Sequence, residues 1–177
     1  MLGVKFSEVM SIELATDKDI EGIYDLLLKC RDRLIEQEIH QWDEEYPSIE
    51  YINLDVSTGS LRKLTQGRQI VGVVSFDDSQ EPQYAEVPWK LTERPIVVIH
   101  RLAVLPEYQG NGFAGELMNY AERSAFELQF SSIRLDAYSG NSQVVQFYER
   151  RGYKRAGEVY FPRRELPFIC MERTTKI

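Results

Sequence analysis

Histidine and cysteine are scarce in this chain. There are two of each, and the cysteines, Cys30 and Cys170, stand far apart with no CxxC spacing. A structural zinc site therefore lacks ligands, no metal is expected, and both cysteines read as free buried thiols in a reducing compartment. Long apolar runs are also missing, so no membrane span is read. Residues 1–10 carry one Lys and no apolar stretch of signal-peptide length. These absences point to a cytoplasmic protein with no membrane partner. A basic excess is absent too: the formal net charge is −7, so no nucleic-acid partner is expected. The densest basic run, Arg150, Arg151, Lys154 and Arg155, reads as a solvated helix end. An acidic surface of this kind favours a cationic ligand instead. No repeat, low-complexity tract or linker interrupts the chain.

What is present is enough for one packed core. The chain has 177 residues, 43% of them hydrophobic, so 1–177 is read as a single domain, with 1–9 as an extension ahead of the first strand. Residues 11–15 alternate like a half-buried strand. Thr16 to Asp19 resembles a capping box, and Ile20, Ile23, Tyr24, Leu27, Leu28, Leu34 and Ile35 then recur at helical spacing. Pro47 breaks the chain, and a weaker helix follows over 48–57. Alternating and β-branched runs at 61–65 and 69–76 flank Gly67-Arg68 and predict a hairpin. Residues 77–94 read as a long polar loop. Residues 95–105 form the longest β-prone run, nearly continuous in apolar residues, as a central strand covered on both faces would be. A helix from Gly112 presents Phe113, Leu117, Tyr120, Ala121, Ser124 and Leu128. A short strand at 132–137, a helix capped by Asn141 or Ser142 and closed by Gly152, and strands at 153–161 and 165–172 complete the chain. The order implies an α/β (α+β) fold with a mixed sheet and helices on both faces.

The segment from Val98 to Gly115 carries the chemistry. An apolar strand, a short loop, a glycine turn and a helix start are what a pyrophosphate needs: glycines admit backbone N–H groups to phosphate oxygens, and the helix N-terminus adds unpaired donors. Two families write similar glycines. Gly110-x-Gly112-x-x-Gly115 satisfies the dinucleotide fingerprint, and Asp136 lies about twenty residues on, where a ribose-binding acid belongs. Against it, residues 106–109 separate the strand from the turn, and only about sixty residues follow, too few for the remaining βα units.

The same turn read as Gln109-Gly110-Asn111-Gly112-Phe113-Ala114, with Arg-Leu-Ala-Val-Leu-Pro-Glu-Tyr before it and the block from Asn141 through Phe147, Tyr148 and Gly152-Tyr153 after it, resembles the GNAT family of acetyl-CoA-dependent N-acetyltransferases. Gln109 stands where the family more commonly has Arg. The resemblance runs clearly from about Ile96 to Gly157. It implies a mostly antiparallel sheet with a splayed central strand. It implies that backbone N–H groups from Gln109 through Ala114 (Gln109, Gly110, Asn111, Gly112, Phe113, Ala114) hold the pyrophosphate of acetyl-CoA, the cosubstrate. Main-chain groups of Leu102, Ala103 and Val104 would then pair with the pantetheine arm, the Val104 N–H would polarise the thioester carbonyl, and Asn141 and Phe147 would line the coenzyme. Tyr148 matches the tyrosine that many members aim at the coenzyme sulfur. A phenol near pKa 10 and a thiol near 8.5 make full proton transfer uphill by roughly 2 kcal/mol, so a hydrogen bond to the developing thiolate suffices.

By the same resemblance an amine attacks the thioester directly. It must first lose a proton. His100, which on simple alternation shares the parity of Leu102 and Val104, is the first candidate base, with Glu81 and Glu86 as weaker ones. Trp42, Tyr46, Tyr84 and Trp89 are expected to line the acceptor pocket, and Asp43, Glu44 and Glu45 would suit an amine. The expected activity is acetyl transfer to a primary amine of a small molecule or peptide. A non-catalytic acyl-CoA sensor and a dinucleotide-binding protein are the alternatives. Dimers are common in the family, so a homodimer is one expected state.

Overall fold

The computed structural model describes residues 9–176. The extension read over 1–9 lies outside them except for Val9, whose carbonyl accepts the Gly67 N–H. Strand β1 (Met10–Leu14), helices α1 (Ile20–Glu36) and α2 (Ile49–Thr58), strands β2 (Leu61–Gln66), β3 (Gln69–Asp77) and β4 (Ile96–Val104), helix α3 (Phe113–Glu127), strand β5 (Ser132–Tyr138), helix α4 (Ser142–Arg150) and strands β6 (Lys154–Val159) and β7 (Phe168–Thr174) follow in order. They build one seven-stranded sheet, β1-β2-β3-β4-β5-β7-β6. Every neighbouring pair is antiparallel except β4 and β5. A doubly wound parallel sheet is absent, and with it the frame a dinucleotide site needs.

Alternation sends the two faces of β4 into different cores. Val97, Ile99, Leu102 and Val104 pack with Leu117, Met118, Ala121 and Ala125 of α3 and Val145 of α4. Ala103 and the following Leu105 pack with Ile23, Leu26, Leu27 and Cys30 of α1, spaced i, i+3, i+4, i+7 as one helical stripe. Val98 joins a third cluster with Tyr84, Tyr138, Phe168 and Cys170 under the 78–95 segment. That segment is more than a polar loop. A short 3-10 turn at Pro82–Glu86 drives Tyr84 and Val87 into the core. Leu128 corrects the α3 stripe: it lies past the helix end and is exposed, while Met118 and Ala125 are buried. The basic run is an ion-paired surface, with Arg151 on Glu122 and Arg155 on Glu149. Both cysteines are free and buried, and burial first of all pushes each thiol up to about 12.

Candidate active site

The sheet opens at its centre. β4 pairs with β5 only where Ile96–Val98 face Ser132–Arg134, yet β4 continues to Val104 and β5 to Tyr138. Beyond the last pair the parallel strands diverge, which is the splay expected of the central strand. Leu105 N–H donates to Val71 O at 2.9 Å. Antiparallel alternation then turns the main-chain groups of Ala103 toward β3, and those of Leu102 and Val104 toward the opening. Of the three residues expected to offer free backbone, Ala103 therefore does not. The Val104 carbonyl is taken by Gln109 Nε2 at 2.9 Å and Cys30 Sγ at 3.3 Å, so its N–H is the group left facing the gap.

The opening leads to the glycine turn. Gly110 and Gly112 sit at φ 79° and 86°, the left-handed region where a side chain is strained. A Cβ at either position would meet nothing within 4 Å, so the surface above the turn is an uncovered cradle. Gly112 caps α3, and the first helical bond runs from Glu116 N–H to Gly112 O. The N–H groups of residues 113–115 thus lack helical partners and point outward at the positive end of a 15-residue helix. Asn111 braces the turn from its side chain, donating to Tyr108 O and Gln109 O. Gln109 corrects the expectation: its N–H is donated to Pro106 O, so the donors begin at Gly110. The donors are backbone, with the Arg151 guanidinium close to Gly115 and paired with Glu122, and together they fit a pyrophosphate.

Helix α4 closes the other flank. Asn141 caps it, accepting Val144 N–H at 3.3 Å, while its Nδ2 reaches Gln41 Oε1 at 3.5 Å. Phe147 and Tyr148 meet edge to face at 5.3 Å. Tyr148 is buried, and burial followed by the nearby charge of Asp136 raises its phenol above the ordinary tyrosine range.

On the opposite face of the sheet the picture differs from simple alternation. Ser75 pairs with Arg101 and Phe76 with Ile99, so His100 is the extra residue of a β-bulge. The bulge resets parity: Ile99, not His100, shares the face of Leu102 and Val104. His100 turns away from the α3 face, and its Nε2 meets Asp77 Oδ1 at 2.8 Å. Burial raises the Asp77 carboxyl, but the His100 bond and the Ser79 N–H outweigh it and hold it low. Next along, Arg101 forks onto buried Asp55, with Nε to Oδ2 at 2.9 Å and Nη2 to Oδ1 at 2.7 Å, and gives Nη1 to Tyr46 Oη at 3.2 Å. Trp42 stacks edge-on to Tyr46 at 5.9 Å.

Tyr84 and Trp89 also meet, with ring centroids 5.2 Å apart. Trp89 donates Nε1–H to Tyr84 O and lies under the Arg134 guanidinium, 4.1 Å away. Tyr84 points its hydroxyl inward to Asp136 Oδ2 at 2.7 Å. The four aromatics thus form two pairs, Trp42 with Tyr46 beside Arg101 and Tyr84 with Trp89 beside Asp136. A cavity of about 420 Å³ lies against Tyr84, Trp89, Glu81 and Arg134. The acidic run 43–45 is occupied elsewhere. Asp43 binds Arg163 and Arg164, and Glu45 binds Arg163. Burial raises the Asp43 carboxyl, but the two arginines pull it well below the carboxylate range. These contacts tie the 160–167 segment to the loop before α2.

Asp136 is the group that the acetyltransferase resemblance leaves without a role. The dinucleotide alternative made it a ribose ligand, but it faces Tyr84 across the sheet from α3. Burial lifts its carboxyl to about 6, with the Tyr84 bond and His100 opposing and Glu81 adding. Its charge reaches Tyr46, Tyr84 and Tyr148 alike. The signal in the sequence was an acid in a strand that the fold buries on both faces.

The model of the acetyltransferase (GNAT) family matches residues 20–153. An uncharacterized N-acetyltransferase of Bacillus subtilis, YesJ, is 23% identical over 145 residues, 81% of each chain. Crystal structures of GNAT-family acetyltransferases from Streptococcus agalactiae and Listeria monocytogenes share the fold. The first has TM-score 0.81 at 20% identity, covering 96% of this chain and 97% of that one. The second has TM-score 0.75 at 18% identity, covering 93% and 94%.

Proposed function

The chain belongs to the acetyltransferase (GNAT) family, and from that premise we propose that it transfers the acetyl group of acetyl-CoA to a primary amine of a small molecule or peptide. One observation carries this most: β4 runs on unpaired with β5 from Ile99 to Val104, and the glycine turn that follows it in the chain is uncovered. The coenzyme, as cosubstrate, supplies an activated thioester. Backbone N–H groups from Gly110 through Ala114 take its pyrophosphate. The open edge at Leu102 and Val104 pairs with the pantetheine amides, Asn141 and Phe147 line the arm, and the Val104 N–H polarises the thioester carbonyl.

The amine approaches from the α1 and α2 face, past Trp42, Tyr46, Tyr84 and Trp89. His100, held by Asp77, stands there as a group able to pass the shed proton on to solvent. Attack forms the C–N bond directly and breaks C–S, with no covalent enzyme intermediate. Tyr148, kept neutral by burial, donates a hydrogen bond to the departing sulfur. Arg101 and Asp55 hold Tyr46 in place.

The test is thiol release from acetyl-CoA across a panel of primary amines, amino acids and peptide N-termini. Amine-dependent release with an acetylated product supports transfer. Tight acetyl-CoA binding with no release for any amine marks a sensor instead. No helix among the described residues is long and apolar enough to cross a membrane. A homodimer and a cytoplasmic location stay part of the proposal.

A further inference from the structure

We infer that Asp136 seats the acceptor's ammonium in the opening between β4 and β5 and takes the proton that the nitrogen sheds before attack. Counting partners for sheltered carboxylates leads there. Among the described residues, Asp19 is paired with Lys63, Asp43 with Arg163 and Arg164, Asp55 with Arg101, Asp77 with His100, and Glu122 with Arg151 and Arg173. Glu172 accepts the N–H groups of Lys90 and Leu91. Asp136 has only a phenol, the Tyr84 hydroxyl. Asp136 is half-buried; a carboxylate partly withdrawn from water without a cation is costly, and the missing cation is what an amine acceptor brings.

Placement agrees. Arg134 and Val98 form the last β5–β4 pair, so Asp136 lies just beyond it, on the open flank. Continuing that register puts it across the gap from His100. On its other side is Cys170 of β7, a buried thiol whose pKa of about 12 keeps it neutral. Arg134, two residues back on the same face, is spent on Gln80 Oε1, Leu91 O and the Trp89 ring. Glu81 and Tyr84 face Asp136 from the 78–95 segment, His100 from β4, Tyr148 from α4 and Tyr46 from the loop before α2. Arg101 is neutralised by Asp55. The surroundings therefore favour a primary alkylammonium and oppose an anion.

The proton balance closes. R–NH₃⁺ gives one proton to the Asp136 carboxylate and becomes R–NH₂. The nitrogen attacks the thioester carbon, C–N forms and C–S breaks. The nitrogen's surplus proton ends on the sulfur, and the Asp136 proton passes to solvent. A carboxyl raised to about 6 is a better acceptor for this purpose than an ordinary aspartate, and it is still ionised at pH 7. Tyr84 is a positioning residue: it fixes Oδ2 and leaves Oδ1 to the ammonium.

Asp136's role rests on the acetyltransferase reading above, and the experiment separates the two. Protein labelled with carbon-13 at the aspartate carboxyls is titrated by NMR with coenzyme A present, with and without ethylamine as probe cation. One carboxyl is expected to titrate near 6, to vanish in Asp136→Asn and to remain in His100→Gln. Ethylammonium should lower its midpoint by about one pH unit, a tenfold change in proton affinity. Tyr84→Phe should raise it. A signal that survives in Asp136→Asn, that is lost in His100→Gln, or that ignores ethylammonium overturns the proposal. Loss of coenzyme A binding with the carboxyl signal and its response intact overturns the acetyltransferase reading and the proton step, while the cation seat stands.

Discussion

The two sides of the central opening are built from different materials. On the α3 side, the proposed coenzyme cradle is backbone: Gly110 and Gly112 in left-handed conformation, the unpaired N–H groups that open α3, and the edge of β4. On the other side, the proposed acceptor surface is side chains from distant segments: Tyr46, Tyr84, His100, Arg101 and Asp136, tied by hydrogen bonds and ion pairs. A backbone site tolerates few sequences because it depends on φ angles. A side-chain site can be rewritten residue by residue while the fold stays.

Substitutions on the two sides should separate accordingly. The largest effect is expected from Gly112→Val, which forces a β-branched residue to φ 86° and covers the cradle. Acetyl-CoA affinity should fall by roughly a hundredfold or more, beyond a local backbone strain of about 1–3 kcal/mol, as measured by calorimetry. Next, Asp55→Ala leaves Arg101 buried without its counter-ion. A loss of about 3–5 kcal/mol is expected, read as a drop in Tm on the order of 10 °C, with the acceptor surface loosened through Tyr46.

Tyr148→Phe should then lower kcat by roughly tenfold to a hundredfold and leave acetyl-CoA affinity within about twofold. Equal turnover by wild type and Tyr148→Phe removes the phenol from the mechanism. A subtler effect concerns pH. Folding raises the Asp136 carboxyl from 3.8 to about 6, so its protonated form is the one the fold favours. That contribution is full below about 4 and is lost as pH rises through 6. Asp136→Asn should therefore be more stable than wild type at pH 7–8, by about 2 kcal/mol, and no more stable at pH 4, as denaturant titrations at the two pH values would show. The smallest effect belongs to Arg155→Ala. Its pair with Glu149 is solvated, so less than about 0.5 kcal/mol should be lost.

The same contrast explains what the sequence disclosed. The cradle was legible because glycine at 110 and 112 and the helix start after them are local signals, and a backbone site is written in consecutive residues. Even there, the engagement of the Gln109 N–H by Pro106 and the turning of Ala103 toward β3 depend on a 3-10 turn and a strand register that local pattern does not fix. The acceptor surface was far less legible. His100 seemed to share parity with Leu102 and Val104 until a bulge, invisible in a run of β-prone residues, turned it to the other face. Tyr84 looked like a loop aromatic, and Asp136 like the polar half of an alternating strand. Their meeting depends on the 78–95 segment folding over β5, a tertiary event. The pairing of Asp43 with Arg163 and Arg164 joins residues about 120 positions apart, beyond any motif.

The division of labour itself is tested most directly by titrating acetyl-CoA into wild type, Gly112→Val and Asp136→Asn by calorimetry at pH 7.5. The backbone cradle predicts that Gly112→Val loses binding by roughly a hundredfold, while Asp136→Asn binds within about twofold of wild type. Unchanged binding by Gly112→Val, or an equal loss in Asp136→Asn, would contradict a coenzyme held by the backbone on one side and an acceptor held by side chains on the other.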